Sequence, residues 1–125
     1  MRNLPNYFIG LSTLFALAGM AYGMYMAGSQ DFTYSPAHAH NNLLGWLSMA
    51  VFGLYYRTSP IAALSTMAAA HFCVSVAANL IFPIGIGMAV TGRGEFLAAL
   101  GGGLVILSMV LFAIVVWRDR PALTA

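Results

Sequence analysis

Four stretches of this sequence run for about 20 residues without a charged side chain, the length one helix needs to cross a bilayer. Between and beyond them lie all the ionic groups the chain has: Arg2, Arg57, Arg93, Arg118 and Arg120, with Asp31, Glu95 and Asp119. Charged residues make up 6% of the chain, against about a quarter in a soluble domain. So few cannot solvate the surface of a 125-residue globule, which excludes an ordinary soluble fold and a disordered chain. Cys73 is the only cysteine, so an intrachain disulfide framework and an all-cysteine metal cluster are excluded too. The formal charge of +2 is too small to suggest a nucleic-acid partner and speaks to topology instead. An integral membrane protein remains, with the lipid bilayer as its first partner.

The spans are about 7–28, 37–56, 61–82 and 96–117, and a kink at Pro83 would let the third continue through Gly85 and Gly87 to Val90. Pro36 suits the first turn of the second helix. Arg57-Thr58-Ser59-Pro60 closes that helix, and Thr91-Gly92-Arg93-Gly94-Glu95 is the last turn. Short connections between consecutive helices predict an all-α, antiparallel four-helix transmembrane bundle, with residues 1–125 as one domain and no internal repeat. Ala16-Leu17-Ala18 imitates a signal-peptidase site, but the apolar run continues well past it, so an uncleaved first span is expected. With four spans both termini share a side with the second loop. That side holds Arg2, Arg57, Arg118 and Arg120, and the other only Arg93, which predicts cytoplasmic termini and an external Asp31 loop.

In a chain this poor in polar groups, three histidines carry information. His38 and His40 open the second span, followed directly by Asn41 and Asn42, and His71 falls within the third. An imidazole in hydrocarbon is costly unless it pairs, faces a cavity or binds a metal. Taken singly, His38 could be an interfacial residue bonded to loop carbonyls; the pair with two asparagines is harder to read that way. Residues two apart on an α-helix point about 200° apart, so His38 and His40 are poorly placed to chelate one ion, a task that favours i, i+4 spacing. They are well placed to reach two different cofactors, one on each flank.

The segment His38-Ala39-His40, with Leu43 and later Gly53, resembles over about 20 residues the helix of haem–copper oxidase catalytic subunits that ligates both haems. His40-Asn41-Asn42-Leu43-Leu44 is similar to a stretch of the nitric oxide reductase members. Ala37 to His40 and Gly53 to Arg57 resemble the Ala-His-Ala-His and Gly-Leu-Tyr-Tyr-Arg signatures of small four-span bacterial cytochrome-oxidase-like proteins. The resemblance implies a bacterial inner (plasma) membrane protein that binds haem, of b type, through His38 and His40. Electron transfer or diatomic-gas (O2/NO) chemistry would follow, with an oxidoreductase activity and a redox partner left open. The oxidase subunit is a pseudo-threefold ring of 12 helices, so a four-span chain could form one third of it as a homotrimer. His38 of one chain and His40 of its neighbour would then clamp a haem iron at each interface.

His71, Ser75 and Asn79 form a polar stripe on one helical face. It reads either as interhelical hydrogen bonding or as a further metal ligand, a propionate partner or part of a proton route. Counting from the Arg57 loop places His71 roughly 9 Å below His40, which argues against one shared iron. Met20, Met24, Met26 and Met88 lie near the level of the histidine pair, and thioether with imidazole suits Cu(I), so copper stands as an alternative to haem or its companion. Methionines are equally good packing filler, and Cys73 reads as a small buried apolar residue. Trp46 is either an interfacial anchor or the wall of a cofactor pocket, and Tyr55, Tyr56 and Trp117 read as anchors. Gly19-x-x-x-Gly23 and Gly101-Gly102-Gly103 allow close helix contact, within the chain or between copies. There is no phosphate loop, nucleophile–base pair or paired carboxylate, and no residue declares itself catalytic. A non-catalytic membrane subunit is the third reading.

Overall fold

The fold is given by a computed structural model that describes residues 3–119. Arg2 and Arg120, two of the arginines in the sidedness count, lie outside the described residues. The described chain is helical and contains no strand. Helix α1 runs Leu4–Ser29 and stops at Gln30, which adopts a left-handed φ of 55°. A continuous helical run follows, built from α2 (Ser35–His40), a π-helical segment (Asn41–Ser48) and α3 (Met49–Thr58). The short α4 (Pro60–Ala63) then turns into α5 (Thr66–Val90), and α6 (Phe96–Arg118) completes the molecule. Three of these helices, α1, α5 and α6, are long and apolar enough to cross a membrane.

Local chemistry accounts for most of these boundaries. Pro5, Pro36 and Pro60 lie in first turns, where a missing N–H costs nothing. The Asp31 carboxylate accepts from the Thr33 hydroxyl at 2.7 Å and from its N–H at 3.0 Å. Those bonds hold its carboxyl below the usual carboxylate range and brace the turn into α2. The Ser65 hydroxyl accepts from Ala68 N at 3.0 Å and starts α5 five residues later than the expected Ile61. Ile61 belongs instead to α4, because Pro60 nucleates a separate turn. Pro83 removes one backbone bond from α5 without ending it, so the third helix does reach Val90. There Gly92 N bonds Ala89 O at 3.0 Å and Arg93 N bonds Met88 O at 2.9 Å, a Schellman closure. Gly92 and Gly94, with φ of 72° and 115°, supply the left-handed positions of that turn.

Along α6 and the middle of α1 burial is inverted relative to a soluble protein. α6 is apolar around its circumference and buries Gly101, Ser108 and Val115, while Ile106, Leu107, Met109 and Val110 face outward. α1 buries Phe8, Ser12, Ala16 and Gly19, while Leu14, Leu17 and Met20 are exposed. Small and polar groups inside with branched aliphatics outside is the arrangement that lipid favours. Of the glycines in the two patterns, Gly19, Gly23 and Gly101 make close contacts within the chain. A Cβ at Gly19 would enter Asn42, and one at Gly23 would meet His38 Cε1 at 3.1 Å. A Cβ at Gly101 would lie 2.5 Å from the Cα of Phe82.

Two assignments change. Cys73 is exposed, because a residue two positions from the buried His71 points away from the core. Tyr56 is fully buried in the core with Leu4, Phe8, Met49 and Phe52, so it is no interfacial anchor. Tyr55 stays near the helix ends and donates its hydroxyl to Asp119 Oδ2 at 3.0 Å.

Candidate functional site

The π-helical segment is the local feature that sequence periodicity missed. It begins directly after His40 and carries Asn41, Asn42, Gly45, Trp46 and Ser48. Wide turns of this kind cluster at functional sites in helices. Tertiary bonds hold this one open: Asn41 Nδ2 donates to Phe15 O at 3.1 Å, and Gly45 lies so close to the Phe15 ring that a Cβ would come within 2.7 Å of it.

His38 and His40 face different flanks, as the α-helical angle requires. His38 is turned toward α1, beside Gly23 and Tyr22. Asn42 Nδ2 donates to its Nε2 at 3.1 Å. Two cavities, of about 540 and 490 Å³, border His38. The first is lined also by Tyr22, Tyr34, Asn41, Met88 and Arg93; the second by Gly19, Met20, Gly23, Asn42 and Trp46. Both volumes fall in the range of about 300–1,000 Å³ usual for cofactor and ligand sites. His40 is turned toward α5, its ring edge-on to Phe82 with centroids 5.1 Å apart. Its Nδ1 lies 2.8 Å from Pro36 O. A carbonyl can only accept, so Nδ1 carries the proton and Nε2 keeps its lone pair, the tautomer that backbone bonding sets up in metal-ligating histidines. His40 borders none of the five described cavities.

His71 belongs to a different environment. Its ring is fully buried where all four long helical runs converge, within 5.4 Å centroid distance of Phe8, Phe52 and Phe112. Tyr56 Oη lies 2.9 Å from Nδ1, and Nε2 has no hydrogen-bond partner among the described residues. None of the described cavities is lined by it. Phe82, the neighbour of His40, is 11 residues further along α5, roughly 16 Å at helical rise. That separation exceeds the sequence estimate because α4 takes up part of the connection that was counted as helix. Hydrogen bonds link the stripe: Ser75 Oγ donates to His71 O at 2.7 Å and meets Ser108 Oγ at 2.7 Å, and Asn79 Nδ2 donates to Ser75 O at 2.9 Å.

The Tyr56–His71 pair escaped sequence reading because both tyrosines of Tyr55-Tyr56 look equally interfacial there. The available signal was the histidine itself, which needs a partner at that depth. Tyr56→Phe should leave Nδ1 unpartnered and cost about 1–2 kcal/mol, more than the average interhelical bond in membrane proteins, since water cannot replace the hydroxyl here. The Tyr56→Phe, His71→Phe double variant should cost less than the sum of the two singles in mixed-micelle unfolding.

Among the described residues no three His, Cys, Asp or Glu side chains group to hold a metal ion. A bare transition metal would therefore need methionine donors. Met20 and Met88 each share a cavity with His38, whereas Met24 is 78% exposed and Met26 is buried elsewhere, so the four methionines do not converge. Haem asks less of the protein, since the porphyrin fills four positions and one imidazole suffices as axial ligand. His38 beside a largely apolar cavity fits that demand, and Arg93 suits a propionate. No family model, curated protein or solved structure matches this chain.

Proposed function

We propose that this chain is a haem-binding membrane protein, with His38 as an axial ligand and an architecture resembling one third of a haem–copper oxidase catalytic subunit. The observation that supports it most is the placement of His38 between two cofactor-sized cavities at the Arg93 end of the molecule. In this reading the run Ser35–Thr58 is a fourth span, because it is continuous and as long as a bilayer needs despite its polar start. Arg57 and Arg118 at one end, against Arg93 at the other, support a cytoplasmic Arg57 end in this reading, and the resemblance suggests a bacterial inner membrane.

Each side chain then has a task. Trp46 and Tyr22 wall the cavities against water, Arg93 offsets an anionic group, and the His38 Nε2 lone pair, which accepts from the Asn42 amide in the protein alone, would have to leave that bond to reach a metal. The Nε2 lone pair of His40 serves a neighbouring copy in a homotrimer. Haem bound here would supply one-electron transfer and diatomic-gas chemistry. His71 holds the bundle together and lies outside this site.

The test is an optical spectrum, oxidised and dithionite-reduced, with iron, copper and molar mass measured on the same detergent-purified sample. A Soret band with stoichiometric iron and a trimeric mass is expected. Copper without iron would favour the second reading, in which His38 and a methionine from either cavity bind Cu(I). A colourless, metal-free protein would leave the histidines as hydrogen-bonding groups of a non-catalytic subunit.

A further inference from the structure

The polar stripe of α5 ends on an atom that the protein leaves without a partner. Asn79 is 6% exposed, and its Oδ1 has no hydrogen-bond partner among the described residues. Asn79 lines a cavity of about 20 Å³ that also borders Ser108 of α6, Ser48 of the π-helical segment, and otherwise Phe52 and aliphatic side chains. A buried carbonyl oxygen without a donor costs about 1–3 kcal/mol, so a site of this kind selects for an occupant that donates.

Proton placement says more about that occupant. The Ser75 hydroxyl gives its proton to His71 O, so in the Ser75–Ser108 contact the proton must come from Ser108. The Ser48 hydroxyl donates to Leu43 O at 3.0 Å. Both serines at the cavity therefore offer lone pairs, as Asn79 Oδ1 does. Three acceptors around one small space call for a donor of at least two protons. A space of about 10–15 Å³ or more, with two to four polar partners, is what a single water needs.

We propose that one buried water molecule occupies this cavity, donating to Asn79 Oδ1 and to a serine oxygen and joining the π-helical segment to α5 and α6. A sodium ion would also meet three oxygens, but no carboxylate lines the space, and an unpaired charge buried there costs far more than a neutral donor. Water completes the network that starts at Tyr56 and His71. It does not reach His71 Nε2, since His71 does not line this cavity. The site is independent of which cofactor the outer cavities take.

A water-resolving density map of the full chain in lipid nanodiscs tests this. One peak within hydrogen-bond distance of Asn79 Oδ1 and Ser108 Oγ is expected, at the same height when sodium is replaced by choline in every buffer. No peak at that position, or one that disappears with sodium, would overturn the proposal. In Ser108→Val the added methyl should fill the space and abolish the peak. A peak that persisted there at full height would not depend on this cavity and would equally sink the assignment.

Discussion

Replacing His38 with alanine should abolish the Soret band of the purified protein, while His40→Ala should keep the colour and change its character. The two residues are unequal within one chain. His38 borders both outer cavities and is held by Asn42, so its loss removes the only in-chain imidazole at the site. Changes to groups that merely orient a ligand cost about 10–100-fold in metal affinity, so losing the ligand itself should exceed about 100-fold. His40 packs edge-on against Phe82 of its own chain and borders neither cavity, so under the proposed reading any part it takes in the site would be through a neighbouring copy. His40→Ala should then alter the spectrum and lower the molar mass of the assembly without removing the colour. Asn42→Leu removes the donor that occupies the His38 Nε2 lone pair, so haem should be retained at least as well as in the parent chain. Unchanged spectra in both histidine variants would end the ligand assignment. A colour lost only in His40→Ala would move the site to the other flank of the helix.

Hydropathy alone located the helices because lipid imposes a demand on composition that needs no partner to be known. α1, α5 and α6 follow from it to within a few residues, apart from the late start of α5 at Thr66. What escaped depends on contacts between helices. The π-helical segment rests on Asn41 reaching Phe15 O and on Gly45 meeting the Phe15 ring, two partners 26 and 30 positions away in sequence. No local propensity distinguishes Asn41–Ser48 from ordinary helix. His38 and His40 were legible as a pair on opposite flanks, since 100° per residue fixes that relation. That one histidine borders two cavities while the other packs on Phe82 was not legible, because it depends on where α1 and α5 lie. Cys73 shows the same limit in reverse: apolar character suggested burial, whereas in lipid the apolar face is the outer one.

Gly85→Val and Gly101→Val should be the most damaging substitutions to the fold, and their effects identify what holds α5 against α6. A Cβ at Gly85 would run into the backbone of Leu97 and Ala98, and one at Gly101 would lie 2.5 Å from Cα and 2.8 Å from N of Phe82. Backbone atoms cannot rotate away as a side chain can, so the helices must separate. Overpacking of this kind costs about 1–3 kcal/mol at one site and more where two strands of main chain are forced apart. Gly103 has nothing within 4 Å of a Cβ, so Gly103→Ala is the control and should be neutral or slightly stabilising, by up to about 1 kcal/mol. Reversible unfolding in mixed micelles would rank the three. Separation of α5 and α6 would also shift Pro83, Ile84, Gly87 and Met88, the α5 wall of the larger cavity beside His38. Gly85→Val should therefore lower cofactor content together with stability, whereas His38→Ala should lower cofactor content by far more than bound cofactor contributes to stability. If Gly85→Val and Gly103→Ala unfold alike, close backbone approach is not what binds these two helices, and the branched aliphatics of α6 carry the contact instead.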